Sequence, residues 1–177
     1  MATPADVASM AAIVKEGIEH GALGFTTSRT ELHTTGGDQA MPGTYADEAE
    51  LLGIGKVIGE LGGKGIFGLV SDFHNWEQEM DWMKRLSIDN NCQVNFVLFF
   101  REEKDWDRVL KQLDYCRRAR TEGALLIPHV GARPVNILLS WDGTINPFSF
   151  HSNYARLSIM SHGERLAELR KPAVRAA

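Results

Sequence analysis

What this sequence lacks already removes several classes of protein. Only Cys92 and Cys116 occur among its 177 residues, which leaves neither a disulfide framework nor a CxxC metal knuckle. No apolar run approaches the roughly 18 residues that cross a membrane, and the N-terminus lacks the basic and apolar regions of a signal peptide. A net charge of −4 provides no basic surface for nucleic acid. We therefore expect a cytoplasmic protein that has neither nucleic acid nor a membrane as a partner.

Familiar catalytic signatures are also missing. The sequence has no P-loop, no Gly-x-Ser-x-Gly, no His-x-His and no His-Glu-x-x-His motif. The glycine-rich run from Gly53 to Gly59 falls inside a predicted helix, 46–61, and does not follow a strand. It therefore indicates a closely packed helix face. Function has to be inferred from where polar residues fall along the fold.

Short apolar runs alternate with amphipathic helical segments along most of the chain. The predicted strands are Leu23–Thr26, Gly65–Val70, Val94–Phe100 and Ala124–Ile127. The last three begin about 30 residues apart, which is the length of one βα unit. This alternation predicts an α/β fold with a parallel sheet and right-handed crossovers. Four such units are half of a (β/α)₈ barrel, so we predict a partial TIM-type barrel, with residues 1–177 as one unit; a doubly wound sheet of four or five strands is the alternative.

Polar side chains follow each predicted strand, most densely between Gly21 and His33. Ligands bind at the carboxyl ends of parallel strands, so residues at these ends are candidates for a site. If the strands are neighbours, their polar residues converge on one rim. In chain order, the four groups are Thr26, Thr27, Ser28, Arg29 and His33; Ser71, Asp72 and His74; Arg101 and Glu102; and His129 and Arg133.

Two of these residues are candidate catalytic groups. Asp72 lies directly after a strand, where a carboxylate can serve acid–base chemistry; its turn before a helix capped by Asn75 explains it about as well. His129 lies between Pro128 and Val130 at a strand end, where an imidazole can act as a ligand or an acid–base group, or make a structural hydrogen bond.

Four further residues are candidates for binding substrate. Arg29 and Arg133 carry guanidinium groups that recognise carboxylates with two parallel hydrogen bonds. Arg29 has an alternative role in pairing with Glu31 or a neighbouring loop. Ser28 and His33 offer hydrogen bonds nearby, although His33 also fits an ordinary loop position. We expect no metal ligand among these residues.

Several motifs together resemble the N-acyl-D-amino-acid deacylase (D-aminoacylase) group of amidohydrolases. They are Glu16–Thr30, His33, Pro42–Thr44, Ala46–Glu48, His129–Pro134, Asn146–Phe150 and Glu164–Pro172. The resemblance implies a TIM-type barrel, one or two divalent metals that are usually zinc, and hydrolysis of a small-molecule N-acyl amino acid. In that group a metal-bound hydroxide attacks the amide carbonyl while an aspartate transfers the proton.

The sequence also departs from that group. The resemblance implies metal-binding histidines on an early His-x-His strand, which would precede the segment matched here, and on strands matching Gly65–Val70 and Val94–Phe100, which contain no histidine in this sequence. A single His129 cannot assemble a zinc site of three or four ligands. We therefore expect an internal fragment of such an enzyme that binds no zinc alone and is inactive by itself.

Two hypotheses follow. In the first, the chain is part of an amidohydrolase whose substrate carboxylate is bound by Arg29 or Arg133. In the second, it is a non-catalytic half-barrel that pairs with another copy or with a complementary barrel half. An open half-barrel leaves two strand edges and a sheet face uncovered, which favours association.

Overall fold

The computed structural model describes residues 2–35, 39–62, 65–100, 103–134, 136, 138–143 and 145–176. These residues divide into two compact units, one extending to Ala132 and one beginning at Arg133. The expectation that residues 1–177 form a single barrel unit stays a prediction.

The first unit alternates helices and strands. Its elements are α1 (Pro4–Glu19), β1 (Gly24–Arg29), α2 (Glu48–Glu60), β2 (Ile66–Ser71), α3 (Trp76–Asn90), β3 (Gln93–Val97), α4 (Trp106–Thr121) and β4 (Leu125–His129). Short polar side chains begin the first three helices. Thr3 and Asp6 form a reciprocal capping box on α1, while Asp47 and Asn75 cap α2 and α3.

The four strands form one parallel sheet in the order β1-β2-β3-β4. This confirms the predicted α/β fold with four parallel βα units. The order contains no reversal, and the helices share one core on one face of the sheet. A doubly wound sheet would have helices on both faces. The architecture is therefore that of a partial TIM-type barrel.

Strand β1 is longer at its carboxyl end than the sequence predicts. It runs to Arg29 instead of ending at Thr26, and it pairs in register with β2 up to Arg29 and Ser71. Residues expected in a loop therefore lie in the strand. Because successive side chains of a strand point to opposite faces, Ser28 and Arg29 cannot face the same site.

The helix-covered face of the sheet is the hydrophobic core. Phe67 of β2, Val94 and Phe96 of β3 and Leu126 of β4 are buried there against α2 and α3. The deepest helix side chains in this cluster are Leu51, Ile54, Ile58, Met80, Trp82, Met83 and Leu86.

The opposite face of the sheet is open. In β3, buried residues alternate with half-buried ones, so only one face of this strand is fully buried. The strand ends at Val97, so Leu98, Phe99 and Phe100, which the predicted strand Val94–Phe100 includes, lie after it. The open face corresponds to the side that lines the interior of a complete barrel.

The two outer edges of the sheet differ. The Leu23 carbonyl accepts from the N–H of Ile66 in β2 at 3.0 Å, and the Arg29 carbonyl accepts from the N–H of Asp72, directly after β2, at 3.1 Å. Backbone groups in a parallel strand point to alternate sides, so the N–H of Ser28 points away from β2, to the outer edge. The His129 carbonyl accepts from Leu98 at 2.8 Å, so Pro128 faces the outer edge of β4 and offers no N–H there.

The second unit is small, and the regular secondary structure of its described residues is helical. It contains α5 (Ala155–Ser158), α6 (His162–Leu169) and α7 (Pro172–Ala176). Ser161 and Glu164 form a capping box on α6. The Arg165 guanidinium is largely buried and donates to carbonyls of Leu157 and Met160 at 3.0 and 2.9 Å, which fastens α6 to the preceding turn.

Among the described residues, no helix combines the length and the apolar character that a bilayer crossing requires.

The close approach of Gly59 in α2 to Asn90 in α3 provides a test of the fold. A Cβ at Gly59 would lie 2.5 Å from the Asn90 carbonyl oxygen, and this backbone atom cannot rotate away. We expect Gly59→Ala to lower the free energy of unfolding by about 2 kcal/mol, because overpacking outweighs the better helix propensity of alanine. Urea unfolding followed by circular dichroism measures the change.

Gly17 is a matched control, because it also lies in the last turn of a helix. A Cβ there would meet only the Ala22 Cβ, at 3.9 Å. We expect Gly17→Ala to raise the free energy of unfolding by about 0.5 kcal/mol. Equal effects of the two substitutions would contradict the close approach of α2 and α3.

Candidate functional site

A groove of about 590 Å³ lies on the open face of the sheet and reaches the carboxyl ends of the strands. Its polar side chains come from β1, β3 and β4, and its floor is apolar. The apolar lining residues include Ile66, Val70 and Val97, and the polar ones are Thr26, Thr27, Ser28, Asn95 and His129. The volume lies in the range of small-molecule sites, which combine apolar walls with a few polar groups.

Ser28 and His33 are brought together beside this groove. The Ser28 Oγ lies 2.7 Å from the His33 Nδ1, and both side chains contact solvent. A turn after β1 produces this contact, with the His33 N–H donating to the Thr30 carbonyl at 3.4 Å. The sequence places these two residues near one another, and the structure joins them by a hydrogen bond.

Arg29 faces the helices instead of the groove. Its Nε and Nη2 donate to the Glu79 carboxylate at 2.9 and 2.8 Å, and its Nη1 donates to the Ala46 carbonyl at 2.7 Å. The guanidinium also lies 5.7 Å from the centre of the Trp82 ring. This geometry gives Arg29 an intramolecular partner, as the alternative from the sequence allowed, although the partner is Glu79. A role in binding substrate stays a prediction.

Asp72 accepts two hydrogen bonds from the turn that carries His33. Its Oδ1 accepts from the Thr30 hydroxyl and its Oδ2 from the Glu31 N–H, both at 2.8 Å. The carboxylate is only 10% exposed, and the His74 Nε2 lies 3.9 Å away. Asp72 therefore connects the end of β2 to the turn after β1.

A second, smaller pocket of about 200 Å³ lies around Asp72. Glu31 and Tyr45 also line it, and the Tyr45 hydroxyl donates to the Glu31 carboxylate at 3.4 Å. The negative charge of Glu31 raises the pKa of Tyr45 above its usual value. This pocket is acidic and separate from the groove.

The two predicted catalytic residues lie in different pockets. His129 lines the groove at the end of β4, whereas Asp72 lines the smaller pocket at the end of β2. Strand β3 separates β2 from β4, which sets them about 10 Å apart. The structure therefore does not join Asp72 and His129 in one constellation, and their catalytic roles stay predictions.

Not every predicted residue can be placed at the groove. Arg133 is exposed and belongs to the second compact unit, so its role in binding substrate stays a prediction. Arg101 and Glu102 lie outside the described residues.

One groove residue, Asn95, was missed by sequence reasoning. It is the polar residue within the apolar run of β3, and period-two alternation in Gln-Val-Asn-Phe-Val could have placed it on the open face. The Gln93 Nε2 donates to the Asn95 Oδ1 at 2.6 Å. This bond leaves the Asn95 amide nitrogen as the donor toward a ligand.

The donor set of this structure does not fit a zinc site. Among the described residues, which include every histidine and cysteine of the chain, there is no group of three or more His, Cys, Asp or Glu side chains placed to hold a metal ion. His129 is the histidine that lines the groove, and a zinc site needs three or four ligands.

Comparisons with known proteins place the fold. No protein-family model matches the chain, and no curated protein sequence matches it. A solved structure does: the N-acyl-D-glutamate deacylase of Bordetella bronchiseptica, in complex with zinc and a phosphonate inhibitor that mimics the tetrahedral intermediate. The TM-score is 0.53 at 20% sequence identity, over 75% of this chain.

That protein is a TIM-barrel amidohydrolase, and the likeness shows a common fold. The match covers 26% of the deacylase chain, so this chain corresponds to about a quarter of its length. The zinc and the inhibitor belong to that protein.

The ion pair between Arg29 and Glu79 provides a test of the intramolecular role. We expect Glu79→Gln to lower the free energy of unfolding by about 3 kcal/mol, because it leaves a largely buried guanidinium without its counter-charge. Urea unfolding followed by tryptophan fluorescence measures the loss, since Trp82 lies beside Arg29.

The control is a solvent-exposed pair on α4. Arg118 and Asp114 are 2.6 Å apart, and their side chains are 65% and 52% exposed. We expect Asp114→Asn to change the free energy of unfolding by less than about 1 kcal/mol. A similarly small change for Glu79→Gln would show that Arg29 is available for other partners.

Proposed function

We propose that this chain supplies the substrate-binding part of an amidohydrolase-type hydrolase that acts on an N-acyl amino acid. The observation that carries the proposal is the groove on the barrel-facing side of the sheet. It places hydroxyl, amide and imidazole groups at the carboxyl ends of parallel strands, where barrel enzymes bind their substrates. The fold shared with an N-acyl-D-glutamate deacylase supports the same class of reaction.

The groove suits the chemistry of an N-acyl amino acid. Such a molecule offers an amide, a carboxylate and an apolar acyl group. The Asn95 amide and the Ser28 hydroxyl are donors for the substrate oxygens, and Val70 and Val97 provide apolar contact. His129 at the end of β4 lines the same groove and contributes a hydrogen bond or, when protonated, a positive charge.

Asp72 acts as a positioning residue in this proposal. It holds Thr30 and Glu31, and thereby the turn that presents His33 to Ser28. Binding of a substrate carboxylate by Arg133 remains a hypothesis from the sequence. No step is assigned to zinc, because the described side chains do not form a site for it.

Calorimetric titration with N-acetyl-D-glutamate tests this proposal. We expect saturable binding that weakens about 10-fold in Asn95→Leu and in His129→Gln, because each substitution removes one hydrogen bond, worth about 1.4 kcal/mol. Release of the free amino acid, followed in the same samples, reports hydrolysis.

His20→Gln is the matched control for His129→Gln. His20 is an exposed histidine at the end of α1, where its Nδ1 contacts the Glu16 carbonyl at 2.8 Å, and it does not line the groove. We expect its binding curve to match that of the unchanged protein. Failure to saturate, or equal affinities for all variants, would contradict a ligand site in the groove.

A second function is favoured by the open sheet face. A non-catalytic half-barrel would cover this face with a second copy or a complementary half. Among the described residues, no strand pairs with the outer edge of β1. We expect such pairing to use β1, because Pro128 removes an N–H from the outer edge of β4.

Sedimentation velocity over a range of concentrations tests the half-barrel. If copies pair, the mean sedimentation coefficient rises with concentration, and Thr26→Lys abolishes the rise because it places a charge on the open face at the β1 edge. Ser9→Lys on the exposed side of α1 is the control. A monomer at every concentration contradicts self-pairing.

A further inference from the structure

We propose that the smaller pocket around Asp72 binds the primary ammonium group of a small molecule. The pocket has a volume of about 200 Å³. An amine of three heavy atoms needs about as much space as three water molecules, roughly 90 Å³. The inference goes beyond the proposed function, because this pocket is separate from the groove. It rests on two independent observations, an excess of negative charge and a buried hydroxyl without a partner.

The charges of the side chains that line the pocket do not add up to zero. Arg29 donates to the Glu79 carboxylate at 2.9 and 2.8 Å, so these two charges compensate each other. Among the lining residues, Glu31 and Asp72 contribute two further negative charges, and His74 is charged only when it is protonated. A concave site lined by negative charge concentrates cations.

The two carboxylates act on the same part of the pocket. The Glu31 N–H donates to the Asp72 Oδ2 at 2.8 Å, and the Tyr45 hydroxyl donates to the Glu31 carboxylate at 3.4 Å. The negative charge of Glu31 is the largest cause that raises the pKa of Tyr45 above its usual value, and the charge of Asp72 adds to it. The negative potential of the pocket therefore reaches its rim.

A buried hydroxyl in the wall of the pocket has no hydrogen-bond partner among the described residues. It is the Oγ1 of Thr44, a residue that is only 5% exposed. The other buried side-chain atoms without a partner in this part of the chain belong to Thr34, Trp82 and Gln112, which line neither the groove nor this pocket. A buried polar group that is left unpaired costs free energy, and a ligand that bonds to Thr44 removes this cost.

A primary ammonium group matches these acceptors. It carries one positive charge and three N–H donors. Glu31, Asp72 and Thr44 offer oxygen acceptors from three sides of the pocket. A metal ion fits less well, because no group of three or more His, Cys, Asp or Glu side chains within the described residues is placed to hold one.

The walls of the pocket are held in place without a ligand. The Asp72 carboxylate accepts from the Thr30 hydroxyl and from the Glu31 N–H, both at 2.8 Å. The Phe73 N–H donates to the Ser71 hydroxyl at 3.1 Å. These bonds join the turn after β1 to the segment after β2, so a ligand enters a site that is already formed.

Titration of the isotope-labelled full chain with ethylamine, followed by amide NMR chemical shifts, tests the site. We expect saturable shift changes at Glu31, Thr44 and Tyr45. Tetramethylammonium is the matched control ligand, because it carries the same charge but no N–H donor. At equal ionic strength we expect it to bind at least about 10-fold more weakly.

Thr44→Val removes the hydroxyl with little change of shape and gives two readouts. Ethylammonium binding should weaken about 10-fold, because a hydrogen bond to a charged group is lost. The melting temperature should rise, because valine leaves no buried hydroxyl without a partner. Thr44→Ser keeps the hydroxyl and should bind ethylammonium as the unchanged protein does.

Glu31→Gln tests the contribution of charge. It removes one carboxylate from the pocket, and we expect ethylammonium binding to weaken about 10-fold. Glu60→Gln is the matched control, because Glu60 is an exposed residue at the end of α2 that does not line the pocket. This variant should bind ethylammonium with unchanged affinity.

Four results overturn the proposal. They are shift changes that do not saturate, equal binding of tetramethylammonium and ethylammonium, unchanged binding in Thr44→Val, and a lower melting temperature of that variant. The last result would show that the Thr44 hydroxyl already has a stabilising partner inside the protein.

Two sources can supply the ammonium group, a simple alkylamine or a free amino acid. D-Alanine is ethylamine with an added carboxylate, so a parallel titration distinguishes them: the tighter ligand identifies the source, and binding of neither overturns the site. The expected shifts lie in the pocket, whereas N-acetyl-D-glutamate is expected to affect Asn95 and His129 in the groove. Failure of the ammonium site is therefore distinguishable from failure of the proposed function.

Discussion

The alternation of side chains at the carboxyl end of β1 is the constraint on which the rest of the site depends. Because β1 stays paired with β2 as far as Arg29, Ser28 and Arg29 face opposite sides of the sheet. One residue supplies a hydroxyl to the groove, and the next binds Glu79 of α3 and stabilises the helix layer. A strand ending at Thr26 would have left both in a loop, free to serve one ligand. Ser28 is therefore available for ligand recognition, while its neighbour Arg29 contributes to stability.

The turn after β1 couples this strand to β2. Asp72 has no place in the groove, yet its carboxylate holds the hydroxyl of Thr30 and the N–H of Glu31, and His33 follows two residues later. The position of the imidazole thus depends on a residue from the neighbouring strand. Bonding between strand ends of this kind fixes a catalytic or binding group more firmly than a loop could by itself.

The fold could be read from the sequence because its signals are local. Thr3, Pro4 and Asp6 start a helix through contacts within one turn, and regular spacing of βα units implies a parallel sheet.

The site was predicted only in part. Ser28, His33 and His129 were identified from their places near strand ends, but Glu79 lies 50 residues from Arg29 and nothing local connects them. Asn95 was missed because it lies inside an apolar strand and not at a strand end. Tertiary packing decides which residues distant in sequence contact each other and which face of a strand is buried.

The outer edge of β1 has a consequence for assembly. The N–H of Ser28 points to that edge, where it is a donor that an added strand would use. A strand at the β4 edge would meet Pro128, which offers no N–H, and would lose one hydrogen bond there. Growth of this sheet is therefore directional, because a further strand pairs more completely beside β1 than beside β4.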